Sequence, residues 1–178
     1  MPERDFQVGG EILKHTGGYQ HVIGIDYPHH EIHDGDMWFT GMYWSSIANA
    51  GTARFTYYAG TVMPHLFFEV AVGGNCKMTK YEGGTITGGT AVSIFNHVRS
   101  STNTHLGSAT HAGTRTGGTA LVIRYIPGGG KNFASGASGR STHEIVGLVG
   151  KPYTVELVNV SGDTIAASIE LNWYNHNV

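Results

Sequence analysis

The chain is short of cysteine, charge and long apolar runs, and each shortage removes a class of function. Cys76 stands alone among 178 residues, so no intrachain disulfide can form and a cysteine zinc cluster is excluded. Charged residues make up 13% of the chain, about half the usual globular share. A net charge of −2 gives no general attraction to nucleic acid or to an anionic membrane. No apolar run approaches the roughly 20 residues that span a bilayer. The start, Met1-Pro2-Glu3-Arg4-Asp5, lacks the apolar core of a signal peptide, so synthesis in the cytoplasm without export by that route is expected.

Glycine, by contrast, is abundant at 27 residues, about twice its average frequency. With 40% hydrophobic and 11% aromatic residues the chain should still pack a core, as one domain of roughly 16 Å radius of gyration. So few charges on a folded surface imply that partner chains cover much of it. Period-2 alternation recurs and helical periodicity does not. Ile165, Ala167, Ile169, Leu171 and Trp173 interleave with Thr164, Ala166, Ser168, Glu170 and Asn172, giving one buried and one mostly polar face. Trp173 therefore belongs to the core. Tyr153, Val155 and Leu157 alternate in the same way, and Ser161-Gly162-Asp163 joins the two runs as a hairpin. Further strands are expected at Met37–Tyr43, Thr52–Ala59, His65–Val72, Cys76–Glu82, Thr90–Asn96, Thr119–Ile126 and Glu144–Leu148, punctuated by Gly-Gly and Pro-Gly pairs. The expected fold is an all-β antiparallel sandwich, jelly-roll-like, over residues 29–178, with an extended amino-terminal arm or first strand over 1–28. Two long Gly/Ser/Thr-rich segments, Ser100–Gly118 and Pro127–Ser141, read as loops that dock on neighbouring chains. Asn159-Val160-Ser161 matches a glycosylation sequon by chance.

The densest chemistry lies in His29-His30-Glu31-Ile32-His33-Asp34-Gly35-Asp36. On a strand His29, Glu31 and His33 would share one face and form a candidate metal site with an open position. The pattern fails two tests. The order is wrong for a cupin, no later Pro-x-Gly-x-x-His completes a set, and the zincin spacing places Asp34 where His is required. His65, His97, His105, His111, His143 or His176 would have to supply a distant ligand, and nothing singles one out. No Gly-x-Ser-x-Gly elbow or complete phosphate loop occurs, and Cys76 reads as a buried structural thiol. No enzyme activity and no cofactor are expected. Trp38, Trp44, Tyr43, Tyr57, Tyr58 and Tyr81 offer flat surfaces for a glycan, although sandwich core is the commoner use of such residues. Eleven histidines, if several sit at subunit contacts, would make assembly sensitive to mild acid.

Three segments in order carry a resemblance: His29-His30-Glu31-Ile32-His33-Asp34-Gly35, then Val92-Ser93-Ile94-Phe95-Asn96-His97-Val98-Arg99-Ser100-Ser101, and Trp173-Tyr174-Asn175-His176 near the end. Together they resemble a family of small virion structural proteins of tailed bacteriophages. In that family a Gly/Ser/Arg-rich loop precedes the final strands, as Pro127–Thr142 does here before His143-Glu144-Ile145-Val146. Asn175 stands where the family usually has Glu, and His97-Val98 where more basic residues are common. The resemblance implies a head decoration (cement) protein on the virion surface, a β-sandwich homotrimer whose partner is the major capsid protein. It implies no direct contact with nucleic acid or membrane. Expected contacts with capsid or sister subunits are His30, His33, Asp34, Arg99, Arg115, Lys131, Arg140 and His176, with Arg suited to bidentate capture of capsid carboxylates. A host- or glycan-binding head fibre is the alternative, and a metal-dependent jelly-roll enzyme built on His29, Glu31 and His33 is a third.

Overall fold

The computed structural model describes residues 6–8, 11–13, 27–128, 135–137 and 144–176. Two short strands, β1 (Phe6–Val8) and β2 (Glu11–Leu13), pair as an antiparallel hairpin. One helix, α1 (Tyr27–Asp34), leads into β3 (Met37–Ile47), β4 (Thr52–Tyr58), β5 (Met63–Val72) and β6 (Cys76–Glu82). Five short strands follow: β7 (Thr85–Thr87), β8 (Thr90–Ala91), β9 (Phe95–Asn96), β10 (Ser108–His111) and β11 (Thr114–Thr116). The chain closes with β12 (Thr119–Ile126), β13 (Ser135–Ala137), β14 (Ile145–Val146), β15 (Pro152–Asn159) and β16 (Ile165–His176).

Two six-stranded antiparallel sheets form the body. Sheet I has the order β12-β6-β15-β4-β10-β8; sheet II has β13-β5-β16-β3-β9, with β14 also on β5. From β3 to β6 each strand crosses to the opposite sheet, and β14, β15 and β16 alternate likewise. The first long strand therefore pairs with the last, and β4 with β15, which is the double Greek key of a jelly roll. The alternation read in β16 sets the core: Ile165, Ala167, Ile169, Leu171 and Trp173 are all buried. Opposite them, sheet I contributes Phe55, Tyr57, Met78, Val155 and Leu157. Trp173 joins the layers, with its ring 6.3 Å from Trp38 of its own sheet and 4.9 Å from Tyr57 of the other. Cys76 is buried, as expected of a structural thiol. Asn159 is fully buried too, its amide donating to the carbonyls of Ile47 and Asp163, so hairpin closure accounts for this residue.

The structure corrects the sequence reading in three places. The His29–His33 stretch is helix and not strand, so those residues do not alternate between faces. Ser100–Gly118 is not structureless, because it contains β10 and β11. Strand β10 extends sheet I beyond β4, while β11 pairs with β7 in a separate ribbon. That ribbon continues the β6–β12 pair through a corner made by Gly83-Gly84 and Gly117-Gly118, all four at positive φ. A Cβ on Gly118 would lie 2.7 Å from the Gly83 carbonyl oxygen, so the two backbones can turn together only without side chains. The expected Thr90–Asn96 strand is two short pieces on different sheets, β8 and β9. Most of Pro127–Ser141 and of the arm lies outside the described residues.

Candidate functional site

The outer face of sheet II carries the odd-numbered residues of β3 as far as Tyr43, the odd-numbered residues of β5 and the even-numbered ones of β16, while Ile47 turns into the core past a register shift. At one end Met37, Phe67 and Tyr174 form a small apolar cluster outside the main core, and Ile32 of α1 packs on it. This anchor holds the short helix on the sheet. Its end is a glycine stop: Gly35 at φ 74° donates to the Ile32 carbonyl at 3.0 Å, and Asp36 N–H to the Glu31 carbonyl at 2.9 Å, the paired bonds of a Schellman cap.

The loop after β9 then clamps the cap. Asn96 Nδ2 donates to the Gly35 carbonyl at 2.5 Å while its Oδ1 accepts from Val98 N–H. Asn103 Nδ2 donates to the Asp34 carbonyl and to Asp36 Oδ1. His97 hangs its backbone N–H on the Met37 carbonyl, brings Nε2 to 2.9 Å from Asn172 Oδ1, and lays its ring 4.9 Å from Phe39. On the other flank the Tyr174 ring stacks on His65 at 4.5 Å, its hydroxyl donates to Glu144 Oε1 at 3.0 Å, and the same carboxylate oxygen meets His65 Nδ1. Segments near residues 30, 97, 144 and 174 thus meet at one pole of the sandwich.

The predicted site residues divide. His30, His33 and Asp34 are exposed on α1, with His30 Nδ1 3.3 Å from Asp34 Oδ2, and Arg99 is exposed in the clamping loop over the Phe95 ring. These four belong to the pole. Arg115 does not: it lies on the outer face of sheet I, 3.4 Å over the Tyr81 ring, with Glu156 at 3.9 Å and a bond to the Gly117 carbonyl. Lys131 and Arg140 fall outside the described residues, as does the side chain of His176, whose backbone pairs with Met63. The metal arrangement is overturned by the helix. His29 and His33 come together one turn apart, but Glu31 is buried and turned away from them, and among the described residues no group of three or more ligating side chains could hold a metal ion. Of the six aromatic candidates, Trp38 and Tyr57 are core, Trp44 packs against the core, Tyr58 is half-buried and Tyr81 is covered by Arg115, which leaves Tyr43 exposed. The sequence reading missed His65, Asn172 and Tyr174 as one unit. Strand parity gave a signal, since 65, 172 and 174 share the outer face, but which strands adjoin was not on view.

Beside the clamp, an open groove of about 410 Å3 runs along Phe39, Thr40, Met42, Ser93, Phe95 and His111. Thr40 Oγ1 donates to the Ser93 carbonyl at its floor. Compared with protein-family models, curated proteins and solved structures, the chain gives no significant match.

Proposed function

We propose that this chain is a structural protein of a tailed-bacteriophage virion, a decoration or cement protein that binds the major capsid lattice and stabilises the head. The observation that carries the reading is the convergence of the segments that bear the family resemblance. Between them Asn96 donates to the Gly35 carbonyl and Ile32 packs on the cluster that includes Tyr174, while the adjoining Asn172 and Asn103 add bonds to His97 and to the Asp34 carbonyl, leaving His30, His33, Asp34 and Arg99 facing outward. The polar side chains of the pole brace loops and a helix end, which suits a preformed contact surface better than a reaction centre.

An open sheet edge supplies a second support. Strand β12 ends sheet I, pairs only with β6 among the described residues, and turns Leu121, Ile123 and Tyr125 outward, the last two more than 60% exposed. The other sheet edges carry strands of only two or three residues, too short to template pairing. A long apolar edge of this kind supports self-association, which the homotrimer reading requires. Packed DNA pushes a capsid outward, and a protein bridging adjacent capsomers resists by adding buried contact area. A specific interface needs roughly 1,200–2,000 Å2 in total, and repetition over a shell lets each contact be modest. On this reading the protein performs no reaction.

Purified protein added to capsids lacking it should bind at regular lattice positions and raise the temperature at which the heads rupture. No binding at any protein concentration would defeat the proposal. The groove lined by Phe39 and Phe95 favours one alternative, a glycan-binding head fibre, which predicts retention on a glycan array and loss of that signal in Phe95→Ala.

A further inference from the structure

Folding of residues 27–34 as a helix changes which imidazoles can meet. On a strand His29 and His33 would lie roughly 13 Å apart. On α1 they are one turn apart on the exposed side, with rings in edge contact at 4.6 Å and their Nε2 atoms 3.0 Å from each other. At that distance the two nitrogens share a hydrogen bond, and with both rings in the Nδ1–H tautomer the same pair has the bite of a chelate. Imidazole nitrogens bound at about 2.0–2.1 Å in adjacent positions of a square-planar or octahedral ion are separated by about 2.9 Å, and a tetrahedral ion spreads them to about 3.4 Å. The observed separation fits the first arrangement, which Cu2+ and Ni2+ favour.

We propose that His29 and His33 form a bidentate site for one divalent transition ion per chain, with water in the remaining positions and a preference for Cu2+ or Ni2+ over Zn2+. Glu31 takes no part, because it lies about 200° around the helix from His29 and is buried. His30 takes no part either, as its Nδ1 is directed to Asp34 at 3.3 Å. The site needs only the local helix and stands apart from the virion reading.

The full chain titrated with CuCl2 alone at about pH 7.5, since metal binding needs deprotonated ligands, should take up one strong equivalent by calorimetry, with electron paramagnetic resonance showing two coordinated imidazole nitrogens. His29→Ala and His33→Ala should each weaken this class by at least about tenfold. His30→Ala should leave it within about twofold, being no ligand. All three side chains are exposed and alanine favours helix, so circular dichroism of each variant should match the parent. Parent-like copper binding in His29→Ala, or a loss in His30→Ala as large as in His29→Ala, would overturn the assignment.

Discussion

Lys80 shows how one side chain can set the stability profile of the sandwich. It points inward from β6 and is 6% exposed, with its ammonium 5.3 Å from the centre of the Phe68 ring. Burial first, and the charge of Arg124 second, push its pKa down to about 8 from 10.5. Between those two values the unfolded chain holds a proton that the folded chain has released, so stability rises with pH across that window and carries the full charge penalty below it. Two tyrosines act in the opposite sense at higher pH. Burial raises Tyr57, and burial with help from Glu82, opposed by the Leu148 N–H, raises Tyr153 to about 12. Their neutral phenols favour the fold until the pH passes the unfolded value of 10.0, above which that contribution is lost. Lys80→Met should therefore stabilise the protein at neutral pH by about 1–3 kcal/mol and abolish the rise between pH 8 and 10. Urea midpoints for parent and variant at both ends of the window check this; an unchanged alkaline rise in the variant would assign it elsewhere.

Among the elements, α1 depends most on its neighbours. Eight residues make too few hydrogen bonds to hold a helix alone, so the Ile32 contact and the Asn96 clamp must supply the rest. Asn96→Ala removes the donor to Gly35 and the acceptor for Val98 together, at an expected cost of about 1–3 kcal/mol. The loss should stay local: hydrogen exchange should quicken for amides of residues 30–36 while those of β16 keep their protection, and uniform loss would show that the clamp supports the whole sandwich. The helix was partly legible in the sequence. Pro28 in the first turn and Gly35 just past the end are ordinary helix punctuation, but the intervening residues are almost all polar, so one apolar position, Ile32, gave no period to measure. The long strands were readable because each buries one face against the other layer, as β15 and β16 do. Strands β7, β10 and β11 were not, being three or four residues rich in Ser and Thr and aligned through backbone pairing to segments far away in sequence. The pole suffered the same limit. Its residue types were visible as short motifs, yet the bonds from Asn96 to Gly35 and from His97 to Asn172 exist only because β9 and β16 both flank β3.

At the scale of the molecule, the proposed self-association rests on the open edge at β12. Ile123→Glu places a charge at the centre of the apolar stripe, on a side chain already 62% exposed, so the fold should persist while self-association weakens by tenfold or more, about 1.4 kcal/mol. Light scattering over a concentration series measures it; a variant with the parent's mass at every concentration would move the interface away from β12. The position of β16 carries a different consequence, for biosynthesis. This strand lies between β3 and β5 and follows every other strand in sequence, so Trp38 must wait for Trp173, and Ile47 for Ile165, before sheet II can close. A ribosome-bound chain holds two unjoined half-layers until β16 emerges. Such distant pairing slows maturation and leaves strand edges open to other nascent chains. Chains ending at Asp163 should accumulate in the insoluble fraction, whereas the full chain stays in the supernatant.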